Sequence, residues 1–290
     1  MKKLALLLVL AALVAPAFAR DVDAIVSADW LEANLGNERL VVLDVRKMDD
    51  YKAGHVPGAV NAMGLYMAKN DLSNEVPDAE DLSDILAESG IDANSIVVVV
   101  ETDGARFTWA TRVAWTLVYA GVPNVAVLDG GYAAWTKAGK GVATGFESKD
   151  ETEFQVSFNA AYFADKAYVL KNLKKAQILD VRAYDTYFGL AKAAFVAQFG
   201  HIPGATSLPA AWITADGMVK PKAELEAMVK ALKLSASKET IIHCDSGLLA
   251  TTWWWILTQQ LGWTKVRSYD GSAQDISKDP AVKFVKLTWK

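Results

Sequence analysis

The 290-residue sequence holds one cysteine and three histidines, and that scarcity excludes a good deal. A single thiol, Cys244, closes no internal disulfide. Three scattered histidines and one cysteine have no zinc-ligand spacing. No G-x-G-x-x-G phrase opens a helix after a strand, so a dinucleotide fold has no fingerprint here. A cysteine-dependent phosphatase needs an arginine six positions after the nucleophile, and Ala250 stands there. Basic residues are interspersed rather than clustered among aromatics, and the net charge is -4, so nothing marks a nucleic-acid surface. Beyond the first residues no apolar run is long enough to span a bilayer.

Those first residues form a recognisable unit. MKKLALLLVLAALVAPAFA has a basic start at Lys2 and Lys3, a short apolar run and Ala17-Phe18-Ala19. This is the pattern of a secretory signal peptide, with cleavage expected after Ala19. Leu4 to Ala19 falls short of the ~20 apolar residues a spanning helix needs. With no second apolar span, a periplasmic location is expected, with no stable membrane insertion after cleavage. In that oxidising setting a leftover thiol is either buried and inert or kept for its reactivity.

The remaining chain is long for one core, and it repeats itself. LVVLDVR (Leu40 to Arg46) returns as QILDVR (Gln177 to Arg182), and GHVPGA (Gly54 to Ala59) as GHIPGA (Gly200 to Ala205). SIVVVVE (Ser95 to Glu101) aligns with TIIHC (Thr240 to Cys244), and NVAVLDGG (Asn124 to Gly131) with KVRSYDGS (Lys265 to Ser272). The order is kept at an offset of roughly 140 residues, which is a duplicated domain rather than a solenoid period. Strands are expected at 40–45, 96–100 and 124–128, and again near 177–181, 239–243 and 265–269. Helices are expected over 107–121, 221–233 and 248–261. Continuous apolar strands alternating with helices predict an α/β fold, each half a mostly parallel sheet with helices on both faces. The expected division is residues 20–140, a linker at 141–157, and 158–290. The consecutive Trp253, Trp254 and Trp255 cannot share a helix face and are read as core plus interface packing.

Ligands of such sheets bind beyond the carboxyl ends of the strands, and Cys244 lies at one of these. The loop DSGLL follows, then a helix. Backbone N–H groups curling around one point favour an anion, and a thiolate there is expected to have a lowered pKa. Gly247 permits a turn with positive φ. On composition alone, a buried structural cysteine is the favoured reading.

The paired LDVR, the paired GH-x-PGA, LDGGYAAW (Leu128 to Trp135) and a lone cysteine in the second half together resemble the tandem-domain rhodaneses, the thiosulfate and 3-mercaptopyruvate sulfurtransferases. The resemblance spans both halves. It implies two rhodanese-like domains, the first non-catalytic, with a persulfide formed on Cys244. The six-residue loop Cys244, Asp245, Ser246, Gly247, Leu248 and Leu249 would bind the sulfur. Cys-Asp-Ser-Gly is nearer to the Cys-Gly-Ser-Gly of mercaptopyruvate enzymes than to the basic loops of thiosulfate enzymes. The same resemblance implies a relay of Ser246, His55 and Asp44, with Arg182 gripping a substrate carboxylate. On their own residues, Asp44 and His55 read equally well as a strand end and a turn cap, and His201 as a turn residue. Departures are plain: Asp245 brings a carboxylate to an anion loop, Leu248-Leu249 replaces valine-threonine, and Thr186 stands where a second arginine is expected. Arg46 and Lys47 could add positive charge.

The expected activity is movement of sulfane sulfur from thiosulfate, mercaptopyruvate or polysulfide to a thiol, cyanide or a partner protein. A non-catalytic persulfide carrier, or a degenerate domain kept for binding, are the alternatives. No metal or organic cofactor is implied.

Overall fold

The structure is a computed structural model that describes residues 20–288 except 65 and 68–71. The leader expected at 1–19 lies outside the described residues.

Two five-stranded sheets repeat one topology. The first contains β1 (Ile25–Val26), β2 (Leu40–Asp44), β3 (Ala59–Asn61), β4 (Ile96–Val100) and β5 (Asn124–Leu128), in the order β1-β5-β4-β2-β3. The second contains β6 (Phe163–Ala164), β7 (Gln177–Asp180) and β8 (Thr206–Ser207), then β11 (Thr240–His243) and β12 (Val266–Tyr269), in the order β6-β12-β11-β7-β8. Every pairing in both sheets is parallel. Between β8 and β11 the second half inserts an antiparallel hairpin of β9 (Thr214–Ala215) and β10 (Met218–Val219). Helices α1 (Ala28–Asn34), α2 (Met48–Ala53), α3 (Ala79–Glu88), α4 (Phe107–Tyr119) and α5 (Gly131–Lys137) belong to the first half. Their successors are α6 (Lys166–Asn172), α7 (Tyr184–Tyr187), α8 (Lys222–Ala231), α9 (Ala250–Trp255) and α10 (Ser272–Ile276). The predicted helix over 248–261 resolves into α9 and a π-turn at Ile256–Gln260.

Strands β2, β4 and β5 are buried at every position, as a parallel sheet covered on both faces requires. Side chains alternate between the faces. In the first half Leu40, Val42, Val98 and Leu128 enter a cluster of their own, while Val41, Leu43, Val97 and Val127 enter another. That second cluster also contains Leu179, Val181, Ile242, Cys244 and Val266 from the other half. One core is therefore shared between the duplicated units.

Its middle is the contact of α4 with α9, the helices that follow the central strands β4 and β11. All three consecutive tryptophans of α9 are wholly buried, and each indole finds a carbonyl. Trp253 donates to Pro209 O (3.1 Å), Trp254 to Val266 O (3.0 Å), and Trp255 crosses to Ala24 O of the first half (3.1 Å). Trp254 meets Trp115 of α4 edge-on at 6.4 Å. The segment expected to link the halves lies along the first one: Ala143 bridges His55, Thr152 N donates to Ala87 O (3.1 Å), and Ser157 N donates to Ala120 O (3.0 Å).

Because Trp254 fills the shared core, Trp254→Ala should destabilise the whole chain by about 3–5 kcal/mol in urea titration, through lost burial and a residual cavity. A loss under about 1 kcal/mol would mean that the halves do not depend on a common core.

Candidate functional site

Cys244 directly follows β11 and is buried. Its carbonyl accepts from Ala273 N (3.0 Å) and its N–H donates to the Ser272 hydroxyl (3.1 Å). Gly247 has φ +85, and a Cβ there would stand 2.5 Å from Asp270 O, so the loop accepts only glycine at this point. The turn expected of Gly247 is present. Leu248 and Leu249 carry the chain into α9, their carbonyls accepting from the hydroxyls of Thr251 and Thr252 (2.7 Å each).

Two backbone N–H groups, those of Ser246 and Ala250, point at the Cys244 sulfur. They favour thiolate, yet the thiol is pushed up from its ordinary value, not down as expected. Burial is the largest cause, and the Asp245 charge adds to it. A cleft of about 400 Å³ opens beside the sulfur, lined by Thr108 and Trp109 from the first half, Phe195 from the second, and Asp245, Ser246, Leu248 and Leu249 of the loop.

The expected relay does not assemble. His55 is wholly buried, stacked on Tyr51 at 4.0 Å, with Nδ1 2.9 Å from Tyr51 O and Nε2 3.0 Å from the Glu147 carboxylate. Asp44 is committed to Arg46 through Nε and Nη2 contacts of 3.0 and 2.6 Å. The Ser246 hydroxyl instead receives the side-chain amide of Asn74 at 3.1 Å.

Both copies of the repeated phrases show the physical reason. Arg46 clamps Asp44 to Gly54 O (2.6 Å), and Arg182 clamps Asp180 to Gly200 O (2.8 Å). His201 repeats His55, stacked on Tyr187 at 3.7 Å with Nδ1 2.8 Å from Tyr187 O. Tyr51 and Tyr187 in turn donate to Ala59 O and Ala205 O (2.7 and 2.6 Å). LDVR and GH-x-PGA are thus the two sides of one structural clamp that ties a strand end to the turn before the next strand.

Arg182 is correspondingly not a free carboxylate grip. It is 1% exposed, held by Asp180 and Gly200 O, and its remaining Nη1 meets Asp245 at 3.3 Å. Arg46 is likewise spent on Asp44. Asp245 stays a quarter exposed at the cleft; burial raises its pKa and Arg182 opposes that rise. His243, one residue before the cysteine, is buried 3.6 Å from Asp180, and burial lowers its pKa.

Ser272 escaped the sequence reading. Its φ of +49 is unusual for a residue with a side chain, and its hydroxyl receives the N–H groups of both Cys244 and Gly247 (3.1 Å each) while donating to Tyr269 O (2.7 Å). A signal existed: the repeat reads DGG in the first half, where Gly131 has φ +60, and DGS in the second. A serine kept where glycine fits without strain marks a side chain with a task. Among the described residues no group of three or more His, Cys, Asp or Glu could hold a metal ion, and no helix is long and apolar enough to cross a membrane.

Since His55 belongs to the clamp, His55→Ala should lower stability by about 1–3 kcal/mol, the range for unmaking a buried hydrogen bond. Turnover of mercaptopyruvate and thiosulfate should fall alike and by less than about threefold. A loss of about 10²-fold or more confined to mercaptopyruvate would restore general acid–base work to this residue.

Comparison with known proteins agrees with the duplicated architecture. The rhodanese-like domain family matches twice, over residues 27–138 and 164–279. A protein of Synechococcus elongatus named "Putative thiosulfate sulfurtransferase" is 32% identical over 265 residues, covering 87% of this chain and 82% of that protein. A relative of the same description from Mycobacterium tuberculosis is 31% identical, covering 86% of this chain and 93% of its own length. Among solved structures, the 3-mercaptopyruvate sulfurtransferase SseA of Escherichia coli superimposes with a TM-score of 0.77 at 28% identity, covering 87% of this chain and 99% of that one. EanB in complex with ergothioneine reaches 0.83 at 24% identity over 92% of this chain and 71% of its own, which speaks for the fold alone. The chain belongs to the rhodanese family and is a rhodanese-type sulfurtransferase built from two tandem domains.

Proposed function

We propose that Cys244 is the sulfur-carrying nucleophile, that the donor is a small sulfane-sulfur compound such as mercaptopyruvate or thiosulfate, and that the protein works in the periplasm behind the leader at 1–19. One observation carries the reading. The thiol of Cys244 stands at the end of the central strand, beside the cleft, with the N–H groups of Ser246 and Ala250 aimed at it. Curated relatives described as thiosulfate sulfurtransferases and the likeness to the mercaptopyruvate enzyme SseA support the same choice of donors.

The Cys244 thiolate attacks the outer sulfur of the donor. A Cys–S–S⁻ persulfide forms as the donor's bond to that sulfur breaks, releasing sulfite from thiosulfate or the enolate of pyruvate from mercaptopyruvate. The enolate then takes a proton to become pyruvate. A nucleophilic acceptor attacks the terminal sulfur, forming thiocyanate from cyanide or a new persulfide from a thiol, and returns Cys244 as thiolate. N–H groups that meet a sulfur anion without any counter-charge suit both the thiolate and the persulfide. A protein acceptor, and with it a carrier role, is the second reading. It is favoured by Leu190, Phe195 and Phe199, exposed on one segment of which Phe195 lines the cleft.

Replacement of the nucleophile tests the reading directly. Cys244→Ser should abolish sulfur transfer to cyanide and leave the melting temperature nearly unchanged, because serine is close in volume. Retention of most activity would overturn the assignment.

The second expectation concerns Asp245. Its carboxylate raises the Cys244 pKa and faces the cleft, where two unit charges ~4 Å apart repel by ~1 kcal/mol in water and by more in a confined site. Asp245→Asn lowers the thiol pKa, so the rise of activity with pH should move to lower pH. Thiosulfate turnover should improve several-fold, and the gain should shrink in high salt. Unchanged thiosulfate kinetics and an unmoved pH profile would remove Asp245 from the account.

A further inference from the structure

The first half lacks a cysteine, yet one of its segments lies across the cysteine loop of the second. Asn74 adopts φ +63, and its side-chain amide donates to the Ser246 hydroxyl (3.1 Å) and reaches the Ser246 carbonyl (3.5 Å). The residues around it are pinned to the second half. Ser73 exchanges two hydrogen bonds with the Gln274 side chain (3.2 and 2.9 Å), and Val76 N donates to the Asp270 carboxylate (3.1 Å). Arg112, wholly buried in α4, donates to Asn74 O and forms an ion pair with Asp270.

Within the loop, the residues on either side of Ser246 have other anchors. Asp245 O accepts from Gln274 N (2.8 Å), and Gly247 N donates to Ser272. Ser246 has its N–H turned to the sulfur, and its hydroxyl and carbonyl meet the Asn74 amide. We propose that Asn74, held by Arg112, is a positioning residue through which the first half keeps the Ser246 N–H aimed at the Cys244 sulfur. This rests on the reading of Cys244 as the nucleophile.

The duplication supplies a comparison. The second half sends its own segment across in the opposite sense: Val219 N donates to Asp129, the first-half counterpart of Asp270 (2.8 Å). There the crossing segment closes backbone on backbone. A Cβ on Gly104, the counterpart of Gly247, would lie only 1.7 Å from Gly217 O. On the half that carries a cysteine, the crossing segment brings a side-chain donor instead. The difference between two otherwise matching contacts follows the nucleophile.

Asn74→Gly tests the amide alone. Glycine accepts the left-handed φ without strain and keeps the carbonyl that Arg112 binds. The charged groups about the thiol stay in place: Asp245 on its loop, Arg182 against Asp245, and the Arg112–Asp270 pair behind Gly247. The readouts are the pH profile of Cys244 alkylation by iodoacetamide, and kcat and KM for sulfur transfer to cyanide. Loss of one hydrogen bond to the loop should displace the alkylation profile to higher pH and lower kcat about five- to tenfold, with KM and melting temperature little changed. Asn74→Asp, which tolerates the same φ but cannot donate, should show a larger displacement in the same direction. An Asn74→Gly protein with alkylation profile and kcat within twofold of the parent would overturn the proposal. Alkylation does not require turnover, so a parent protein that transfers no sulfur would refute the nucleophile reading while this arm still decides the role of Asn74.

Discussion

Helices α4 and α9 each leave the carboxyl end of the central strand of a parallel sheet and bury against one another. The apolar face that each sheet turns toward this contact finds its cover there, which is why one cluster runs from Val97 and Val127 through Trp115 and Trp254 to Ile242 and Cys244. The same packing brings the two strand-to-helix loops together. The cysteine of one half thus faces Thr108 and Trp109 of the other across a single cleft. Fold and site share this constraint: loosening α4 from α9 would separate the cleft walls as well as exposing the core.

At the sulfur the balance is between burial and directed donors. Burial in the shared core raises the thiol pKa and the Asp245 carboxylate adds to it, while N–H groups from Ser246 and Ala250 work the other way. Because the Ser246 donor belongs to a loop with one positive-φ glycine, its direction depends on what grips that loop. Ser272 holds it at Cys244 and Gly247, and Asn74 holds it at Ser246. Arg182, expected to meet substrate, instead tempers the charge of Asp245.

The duplicated organisation was legible in the sequence because four phrases recur in order and because buried parallel strands announce themselves as apolar runs. The edge strands were not. β1, β6 and β8 are two residues long and exist only through pairing with β5, β12 and β7. Cys244 was found by its uniqueness and by its place between an apolar strand and a helix. The relay was misread because a histidine and an aspartate look alike in a catalytic set and in a structural clamp. The sequence held a clue against it: LDVR and GH-x-PGA occur in both halves, the cysteine in one. Asn74 was out of reach, since its contact with Ser246 joins residues 172 positions apart and no local pattern records it.

The central claim is that Cys244 receives and surrenders one sulfur atom. Peptide-resolved mass spectrometry of the intact protein after exposure to thiosulfate, mercaptopyruvate or polysulfide, and again after cyanide, tests it most directly. The account predicts a gain of one sulfur on the Cys244 peptide with at least one donor, and its loss on adding cyanide. An unmodified Cys244 with every donor would contradict it.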